Sequence, residues 1–403
     1  MRSETVRRSN LSAIGHELHA GGPISRSELG ARTGLTRSAI RALIGEFAVA
    51  GLVSEEPSAP LGAPGRPSSL VYPRAAAAVG LALEIAVDSL SAAVVGFGGE
   101  VLELLRLDNP RGEMSVERAV EMLAELAHAV RGLPPQREEV VGIGVAVVGV
   151  VRRSDGLVSM APNLGWRDVA LGQALRRNLD TLIPIFVANE ADLGALAELR
   201  RGAARGRQNV IFIAGEVGVG GGLIFDGRPL TGAAGYSGEV GHIPLNADGG
   251  ASCRCGSVGC WETEIGENVL LSLAGHAGEG GRDAVNRVLE EAAAGSQTAL
   301  AALEHVALGL GRGLGGLVNV LNPELVVLGG LFGRIHPYIA RTLESQLDRY
   351  ALPASRAAVS VVPAALAENA TLLGAAELAF EPFLADPAGW LRPRAGLLEL
   401  APA

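Results

Sequence analysis

Lysine, cysteine and long apolar runs are what this 403-residue sequence lacks or uses sparingly. It contains no lysine, so all 34 basic residues are arginines, and with the many alanines and glycines this indicates a GC-rich coding sequence rather than a mechanism. No apolar run reaches the ~18 residues of a membrane span, and the opening MRSETVRRSN lacks the apolar region of a signal peptide. Three cysteines without an export signal predict a cytoplasmic protein with reduced thiols.

Charge is distributed unevenly along the chain. The net charge is −9, yet residues 1–75 hold nine arginines and six acids, and the remainder holds 25 arginines and 37 acids. A basic N-terminal module on an acidic body predicts that only the first part contacts nucleic acid. The apolar fraction of 48% and the length predict a globular protein of two or three domains.

The N-terminal 75 residues show the pattern of a winged helix-turn-helix. Residues 10–19 have apolar side chains at helical spacing, and a second helix runs to Arg32 from a serine cap at Ser25 or Ser27. Gly34 supplies a sharp turn, and Thr36 caps a third helix over 37–50. A wing of two strands follows, joined by the loop PSAPLGAPGRPSS.

The third helix is the one available for the major groove of double-stranded operator DNA. The residues in position to contact bases or phosphates are Thr36, Arg37, Ser38 and Arg41. Arg66 forms a basic tip of the wing suited to a narrow minor groove. A winged helix can also serve as a protein–protein module, but the surplus of arginines favours DNA.

The body alternates apolar strands and helices. Apolar strands occur around 79–107, 140–151, 183–189, 209–230 and 322–330, with long helices between them, including 297–320, 332–350 and 369–380. Strand sets with crossing helices occur twice, which predicts two α/β lobes with a cleft between them. Asn189 and Glu190 stand where a strand enters a helix, the place where ligands collect in such folds.

A short glycine-rich stretch, residues 238–262, holds all three cysteines. Three thiols and one imidazole are ligands that tetrahedral Zn²⁺ prefers in a closed structural site. Chance clustering and a disulfide are the alternatives, but an odd number of cysteines within eight residues beside a histidine favours metal. The predicted zinc ligands are His242, Cys253, Cys255 and Cys260. Because a closed zinc site does no chemistry itself, we expect it to position the flanking carboxylates Glu239 and Glu262.

These stretches resemble the ROK family of repressors, open reading frames and kinases, over nearly the whole chain. The motifs that carry the resemblance are APNLGW (161–166), NEADLGALAE (189–198), GVGGG (218–222), GEVGH (238–242), CRCGSVGCWE (253–262) and NPELVVLGG (322–330). The resemblance implies an α/β fold, a winged helix-turn-helix followed by a two-lobed actin-like or ribonuclease-H-like domain with a sugar in the cleft. The sugar contacts implied are Asn163, Asn189, Glu190, Glu239, His242 and Glu262.

The same strand pattern and motifs also predict the domain boundaries. We predict the DNA-binding domain at 1–75 and the first lobe at 76–190, with the helix 369–380 completing that lobe. The second lobe with the zinc loop follows at 191–368, and a C-terminal tail of irregular coil at 381–403. Trp166 is a candidate for packing on a sugar face, although such a residue more often lies in the core.

Three departures from the kinase pattern bear on activity. Family kinases carry Asp-x-Gly-Gly-Thr near the start of the fold, where this chain has Glu84–Asp88. A second phosphate-binding turn resembling Gly-Thr-Gly becomes Glu216-Val217-Gly218, and the acceptor base, Asp in the kinases, is Glu190 here. Acids would face phosphate, and the base is a methylene longer, so together these changes argue against ATP chemistry.

The sequence therefore predicts a sugar-responsive transcriptional regulator, a repressor that binds operator DNA as a homodimer or a dimer of dimers, and not an enzyme. One alternative is an active ATP-dependent sugar kinase with an appended DNA-binding domain. Another is a regulator whose body no longer binds sugar and only dimerises.

Overall fold

The computed structural model describes residues 2–57, 69–109, 111, 114–130 and 139–391. The N-terminal module comprises α1 (Arg2–Gly21), β1 (Ile24–Ser25), α2 (Arg26–Thr33), α3 (Arg37–Val49), β2 (Val53–Pro57) and β3 (Ser69–Pro73). The three strands form one sheet in the order β1-β3-β2, and β3 pairs antiparallel with both neighbours. This arrangement confirms the winged helix-turn-helix.

Local sequence explains the ends of the two central helices. Ser25 caps α2 by accepting a hydrogen bond from Glu28 N, and Thr36 caps α3 by accepting one from Ala39 N. Gly34 ends α2 in the left-handed conformation at φ 70°, where a side chain would be strained. The turn between the helices therefore lies where the sequence placed it, whereas α1 begins eight residues earlier than predicted.

A five-stranded sheet organises the first half of the body, which we call the first lobe. Its elements are β4 (Val79–Ile85), β5 (Ser89–Gly96), β6 (Val101–Asp108), α4 (Val116–Ala129), β7 (Val140–Val147), β8 (Val150–Arg152), β9 (Leu157–Ala161), β10 (Trp166–Ala170), α5 (Leu171–Asn178), β11 (Ile185–Asn189) and α6 (Glu190–Arg201). The main sheet has the order β11-β7-β4-β5-β6, with β4 antiparallel to β5 and parallel to β7.

A second sheet organises the next half, which we call the second lobe. Its elements are β12 (Val210–Gly215), β13 (Val219–Phe225), β14 (Arg228–Pro229), α7 (Glu262–Ile265), α8 (Glu267–Leu273), α9 (Gly281–Ala293), α10 (Gln297–Leu321), β15 (Leu325–Gly329), α11 (Gly330–Tyr350), α12 (Pro353–Ala358) and β16 (Ser360–Pro363). The sheet order β14-β13-β12-β15-β16 repeats that of the first lobe, strand for strand. The predicted two-lobed α/β fold is confirmed.

The last helix, α13 (Ala370–Ala385), returns to the first lobe and packs on β4 and β7. It also packs along α6, which contacts strands of both sheets. Gly374 makes this approach possible, because a Cβ there would lie 1.9 Å from the carbonyl oxygen of Leu193 on α6. Two closely packed helices therefore form the layer between the sheets.

Two predicted segments differ from the structure. The strand expected over 140–151 breaks at Gly149, whose φ of 113° ends β7 and starts β8. The tail expected to be irregular coil from residue 381 is instead helical to Ala385, and Phe383 is fully buried. Its aromatic ring belongs to the core of the N-terminal module, a long-range contact that periodicity does not reveal. The domain boundaries themselves stay predictions.

Candidate functional site

The four predicted metal ligands converge at one point. One ligand atom from each of His242, Cys253, Cys255 and Cys260 lies within 4.8 Å of all the others. The sulfurs of Cys255 and Cys260 are 3.7 Å apart, and Cys253 Sγ is 3.7 Å from His242 Nδ1. A disulfide needs about 2.05 Å, whereas tetrahedral Zn²⁺ with bonds of about 2.3 Å holds its sulfurs about 3.8 Å apart.

The donor set has the chemistry of a zinc site as well as its spacing. Burial and the hydrogen bond to Glu262 raise the pKa of the Cys253 thiol, so its thiolate form requires a cation close by. Burial likewise raises the pKa of Cys260. The residues present therefore fit a structural zinc ion.

The loop that carries these ligands is held by its own turns and by one tryptophan. Gly256 and Gly259 adopt φ values of 98° and 67°, which allow the chain to reverse between Cys255 and Cys260. Trp261 is fully buried and donates to the carbonyl oxygen of Gly309 on α10. The loop is thus fixed to the helical layer of the second lobe.

Two predicted sugar contacts, Asn163 and Glu262, meet across the cleft between the lobes. Asn163 lies in the turn between β9 and β10, and Glu262 begins α7. A Cβ on Gly218 would lie 2.8 Å from Glu262 Oε2 and 3.6 Å from Asn163 Nδ2. Gly218 therefore leaves open the space that both side chains face, which suits a ligand with several hydroxyl groups.

Asn189 and Glu190 open α6 on the other side of this space. Asn189 Oδ1 caps the helix by accepting from Ala191 N, and its Nδ2 donates to the carbonyl oxygen of Gly149. One amide hydrogen of Nδ2 remains available to a ligand. Burial raises the pKa of Glu190 to about 8, helped by the charges of nearby Glu216, Glu84, Glu239 and Asp88.

Glu239 stands between the metal ligands and α6. Burial raises its pKa to about 6, against the lowering effect of His242. Its neighbours include Asp192 in the first turn of α6 and Glu262. The structure therefore places five of the six predicted sugar contacts around Gly218 and the start of α6. The sixth, His242, lies beside them as a predicted zinc ligand, with its Nδ1 3.6 Å from Glu262 Oε1.

Arg254 is a member of this site that the sequence reasoning missed. Its guanidinium, between two zinc ligands in the sequence, donates to Asn163 Oδ1 at 2.9 Å and so bridges the lobes. The signal that could have found it is its place in the cysteine loop, since a closed metal site orients whatever lies between its ligands.

The two stretches that replace the kinase phosphate-binding turns line one cavity of about 280 Å³. Glu84, Asp88, Glu190 and Glu216 are among its lining residues. Burial raises the pKa of Glu84 and of Glu216 to about 7, with neighbouring carboxylates adding to the effect. Carboxylates thus crowd one another in this cavity.

Four arginines line the same cavity, and three of them already pair with carboxylates. Arg111 pairs with Asp88 at 3.3 Å and with Glu267 of the second lobe at 2.7 Å. Arg282 pairs with Glu368, and Arg106 pairs with Asp108 at 3.0 Å. Arg334, the fourth, donates to Asn286 and to the carbonyl oxygen of Arg282.

The predicted DNA contacts lie on an accessible face. Thr36, Arg37, Ser38 and Arg41 are all exposed at the N-terminal end of α3. Arg66 lies outside the described residues. Trp166 is core rather than cleft, because it is 5% exposed and donates to the carbonyl oxygen of Met114. Among the described residues, no helix has the length and apolar character needed to cross a membrane.

Comparison with known proteins places this site in a family. The chain is 26% identical to the xylose repressor of Bacillus spizizenii over 381 residues, 94% of this chain and 97% of the repressor. A ROK family transcriptional regulator described as a homologue of the E. coli MLC protein matches with a TM-score of 0.75 and 26% identity, covering 96% of this chain and 98% of the regulator.

Kinases of the same family match the body. A ROK family glucokinase from Streptomyces griseus, solved with glucose and AMPPNP, aligns with a TM-score of 0.64 and 26% identity over 74% of this chain and 98% of the kinase. The ROK family model itself matches residues 80–381. With the repeated sheet order and the Cys-His loop, this match shows that the chain belongs to the ROK family.

Proposed function

We propose that this protein is a sugar-responsive transcriptional repressor whose ROK domain binds a small sugar or sugar derivative and whose winged helix binds operator DNA. The observation that carries the proposal is the joining of two features in one chain. An accessible, arginine-bearing α3 is attached to a cleft that gathers the side chains predicted to contact sugar, beside a carboxylate-lined cavity. The similarity to a xylose repressor along nearly the whole chain supports the same assignment.

Phosphoryl transfer is unfavourable in this cavity on electrostatic grounds. Each unit negative charge about 4 Å from a phosphate charge costs about 4 kcal/mol at the effective dielectric of a protein surface. A phosphate bound here would meet Asp88 together with Glu84 and Glu216, whose pKa values of about 7 mean that it would either face their charge or have to hold them protonated. Kinases stabilise their phosphates with backbone amides and metal ions instead. We therefore propose that the chain is not a kinase.

Sugar binding would act on the arrangement of the lobes. Asn163 belongs to the first lobe and Glu239, Glu262 and Arg254 to the second, so a ligand held by both sets favours the closed cleft. In a homodimer, or a dimer of such dimers, this closure changes how two α3 helices are presented to half-sites about 34 Å apart. We propose that the protein acts in the cytoplasm, where its operator DNA is.

Zinc, bound by His242 and the three cysteines, would stiffen the wall that carries Glu239, Arg254 and Glu262. We expect about one zinc ion per chain by elemental analysis of the purified protein. Removing it with a chelator should weaken sugar binding about tenfold or more, because the wall loses its cross-link. If sugar affinity stayed unchanged while circular dichroism showed an intact fold, this role of the metal would be wrong.

The decisive experiment is binding to DNA from upstream of the protein's own gene, with and without a panel of aldopentoses and aldohexoses that includes D-xylose and D-glucose. We expect tight binding that one sugar shifts about tenfold. The double variant Arg37→Gln/Arg41→Gln should lose DNA binding and keep its sugar-induced rise in melting temperature. DNA binding that ignores every sugar in the panel would overturn the proposal.

An active sugar kinase with a DNA-binding module is the second candidate, favoured by the structural match to a glucokinase. ATP turnover with the same sugars distinguishes the two. Sustained formation of sugar phosphate would establish the kinase and contradict our interpretation of Glu84, Glu190 and Glu216.

A further inference from the structure

Helix α6 connects the candidate sugar site to the DNA-binding module. It begins at Asn189 and Glu190 in the site and ends at Arg201, which reaches the N-terminal module. Twelve residues of α-helix span about 18 Å, so one rigid helix covers the distance between the candidate sugar site and the DNA-binding module.

Arg201 forms a buried junction with three other parts of the chain. Its Nε donates to Glu377 Oε1 of α13 at 2.5 Å, and its Nη1 donates to the carbonyl oxygens of His19 and Gly98, both at 3.0 Å. Gly98 N in turn donates to His19 Nδ1 at 3.2 Å. One guanidinium therefore joins α6, α13, the β5–β6 turn and α1 of the DNA-binding module.

The junction is enclosed on all sides. His19 is 1% exposed and Glu377 is 4% exposed, and the His19 ring packs against Phe380 with centroids 4.2 Å apart. Gly99 cannot carry a side chain, because a Cβ there would lie 2.0 Å from the Arg201 guanidinium. Burial of this kind makes the contact stiff, since a shift of any partner leaves a charged group unpaired.

One turn before Arg201, a second buried residue ties α6 to the segments that cross between the lobes. Glu198 is fully buried, and its carboxylate accepts from Ala203 N at 2.6 Å and from Leu366 N at 2.8 Å. Ala203 lies on the crossing from α6 to β12, and Leu366 on the crossing from β16 to α13. Both crossings are therefore held by the same helical turn that precedes Arg201.

We propose that Arg201 is the positioning residue through which sugar-induced movement of the lobes reaches the DNA-binding module. This rests on the proposed function. Lobe closure moves α6 at its first turn and through the crossing segments bonded to Glu198, and Arg201 transfers that movement to the backbone of α1. Because Arg201 contacts neither the sugar side chains nor the exposed face of α3, it affects the coupling between the two ligands rather than either binding site.

The test uses the double variant Arg201→Met/Glu377→Gln, which removes both charges of the buried pair so that neither is left uncompensated. We expect its sugar affinity to stay within about twofold of wild type, while the sugar-induced change in operator affinity falls from about tenfold to less than about threefold. The matched control is Arg356→Met/Glu344→Gln, an arginine–carboxylate pair of the second lobe, which should respond like wild type.

A second variant, Arg201→Lys, keeps a positive charge opposite Glu377 but cannot donate to all three partners as the forked guanidinium does. It should fold and show an intermediate sugar response. Hydrogen exchange in α1 should change on sugar addition in wild type and not in the double variant.

The possible failures are distinguishable. A wild-type chain whose operator affinity ignores every sugar would overturn the proposed function and this inference with it. A wild-type chain that responds, together with Arg201 variants that respond equally, would overturn the inference alone and leave the proposed function standing.

Discussion

At the scale of single residues, Glu190 is the group whose environment departs furthest from that of an exposed carboxyl. It begins α6, and burial together with four neighbouring acids raises its pKa to about 8. A base for phosphoryl transfer must be ionised at working pH, and this one stays protonated to the upper end of the physiological range. A protonated carboxyl instead both donates and accepts, as a sugar hydroxyl requires.

This pKa gives a prediction for Glu190→Gln. The unfolded carboxyl ionises near ~4.3. Since the folded pKa is about 8, wild type loses stability as pH rises between these values and the loss is complete above about 8. The variant should therefore melt at a progressively higher temperature than wild type from pH 5 to pH 8, with a constant difference beyond. Glu290→Gln, on the exposed face of α9, serves as control; a difference independent of pH would contradict the assignment.

Arg254 gives a second prediction at this scale. It closes the cleft onto Asn163, so Arg254→Ala should weaken sugar binding about tenfold through loss of one charge-assisted hydrogen bond. Zinc content should not change, because Arg254 is not a ligand. Titration calorimetry with the sugar that wild type binds would measure this, beside Arg312→Ala on the outer face of α10. Equal affinities in wild type and Arg254→Ala would remove Arg254 from the site.

Single residues also show which features of the structure were predictable from the sequence. The caps Ser25 and Thr36 and the Cys-His loop were predictable, because each depends on chemistry within a few neighbouring positions. The hydrogen bond from Arg201 to the carbonyl oxygen of His19 joins residues 182 positions apart, and the residue types give no indication of it. Family motifs supplied the long-range grouping of Asn163 with Glu262 that periodicity could not.

At the scale of elements, the packing of α6 against α13 decides how the lobes are joined. Gly374 lies where the two helices touch, and a Cβ there would lie 1.9 Å from Leu193 O. A helical glycine is ordinarily the weaker choice, costing about 1 kcal/mol relative to alanine. Its presence at this position therefore reflects close packing, which the sequence pattern alone did not indicate.

Gly374→Ala and Gly316→Ala should accordingly change the free energy of unfolding in opposite directions. Gly316 lies on the exposed side of α10 with no atom within 4 Å of its Cβ position, so alanine there should raise the free energy of unfolding by up to about 1 kcal/mol. Alanine at 374 must push α6 and α13 apart and should lower it by about 1–3 kcal/mol. Denaturant titration of both variants provides the comparison, and a stabilised Gly374→Ala would show that the helices can separate freely.

At the scale of the whole molecule, the DNA-binding module and the body share a core. Leu11, Ile14 and Leu18 of α1 pack in one cluster with Phe380 and Phe383 of α13. The lobe architecture was predictable from the repeated strand pattern. The packing of the DNA-binding module on the body was not, because an apolar pattern shows that a residue is buried but not which residue it packs against. The buried pair of His19 and Glu377 lies at the centre of the interface.

This interface should weaken in acid. Burial lowers the pKa of His19, so its ring is neutral at neutral pH, and the Arg201 guanidinium holds the pKa of Glu377 low against the effect of burial. A histidine with a lowered folded pKa stabilises fully above its unfolded pKa of about 6.5, and this contribution is lost as pH falls. The destabilisation caused by His19→Gln should therefore be smaller at pH 5.5 than at pH 7.5 in thermal melts. His305→Gln, on the exposed side of α10, is the control, and a penalty that grew in acid would mean that His19 is charged in the fold.

The shared core also sets an order of events during synthesis. α1 is translated before the body, but Phe380, Phe383 and Leu384, which complete its core, are translated only after both sheets. Domains generally fold as units in the order in which they emerge. Here the DNA-binding module is synthesised before the body but its core is completed after both sheets, so a nascent chain acquires its docked DNA-binding surface only once the sensing body has been translated.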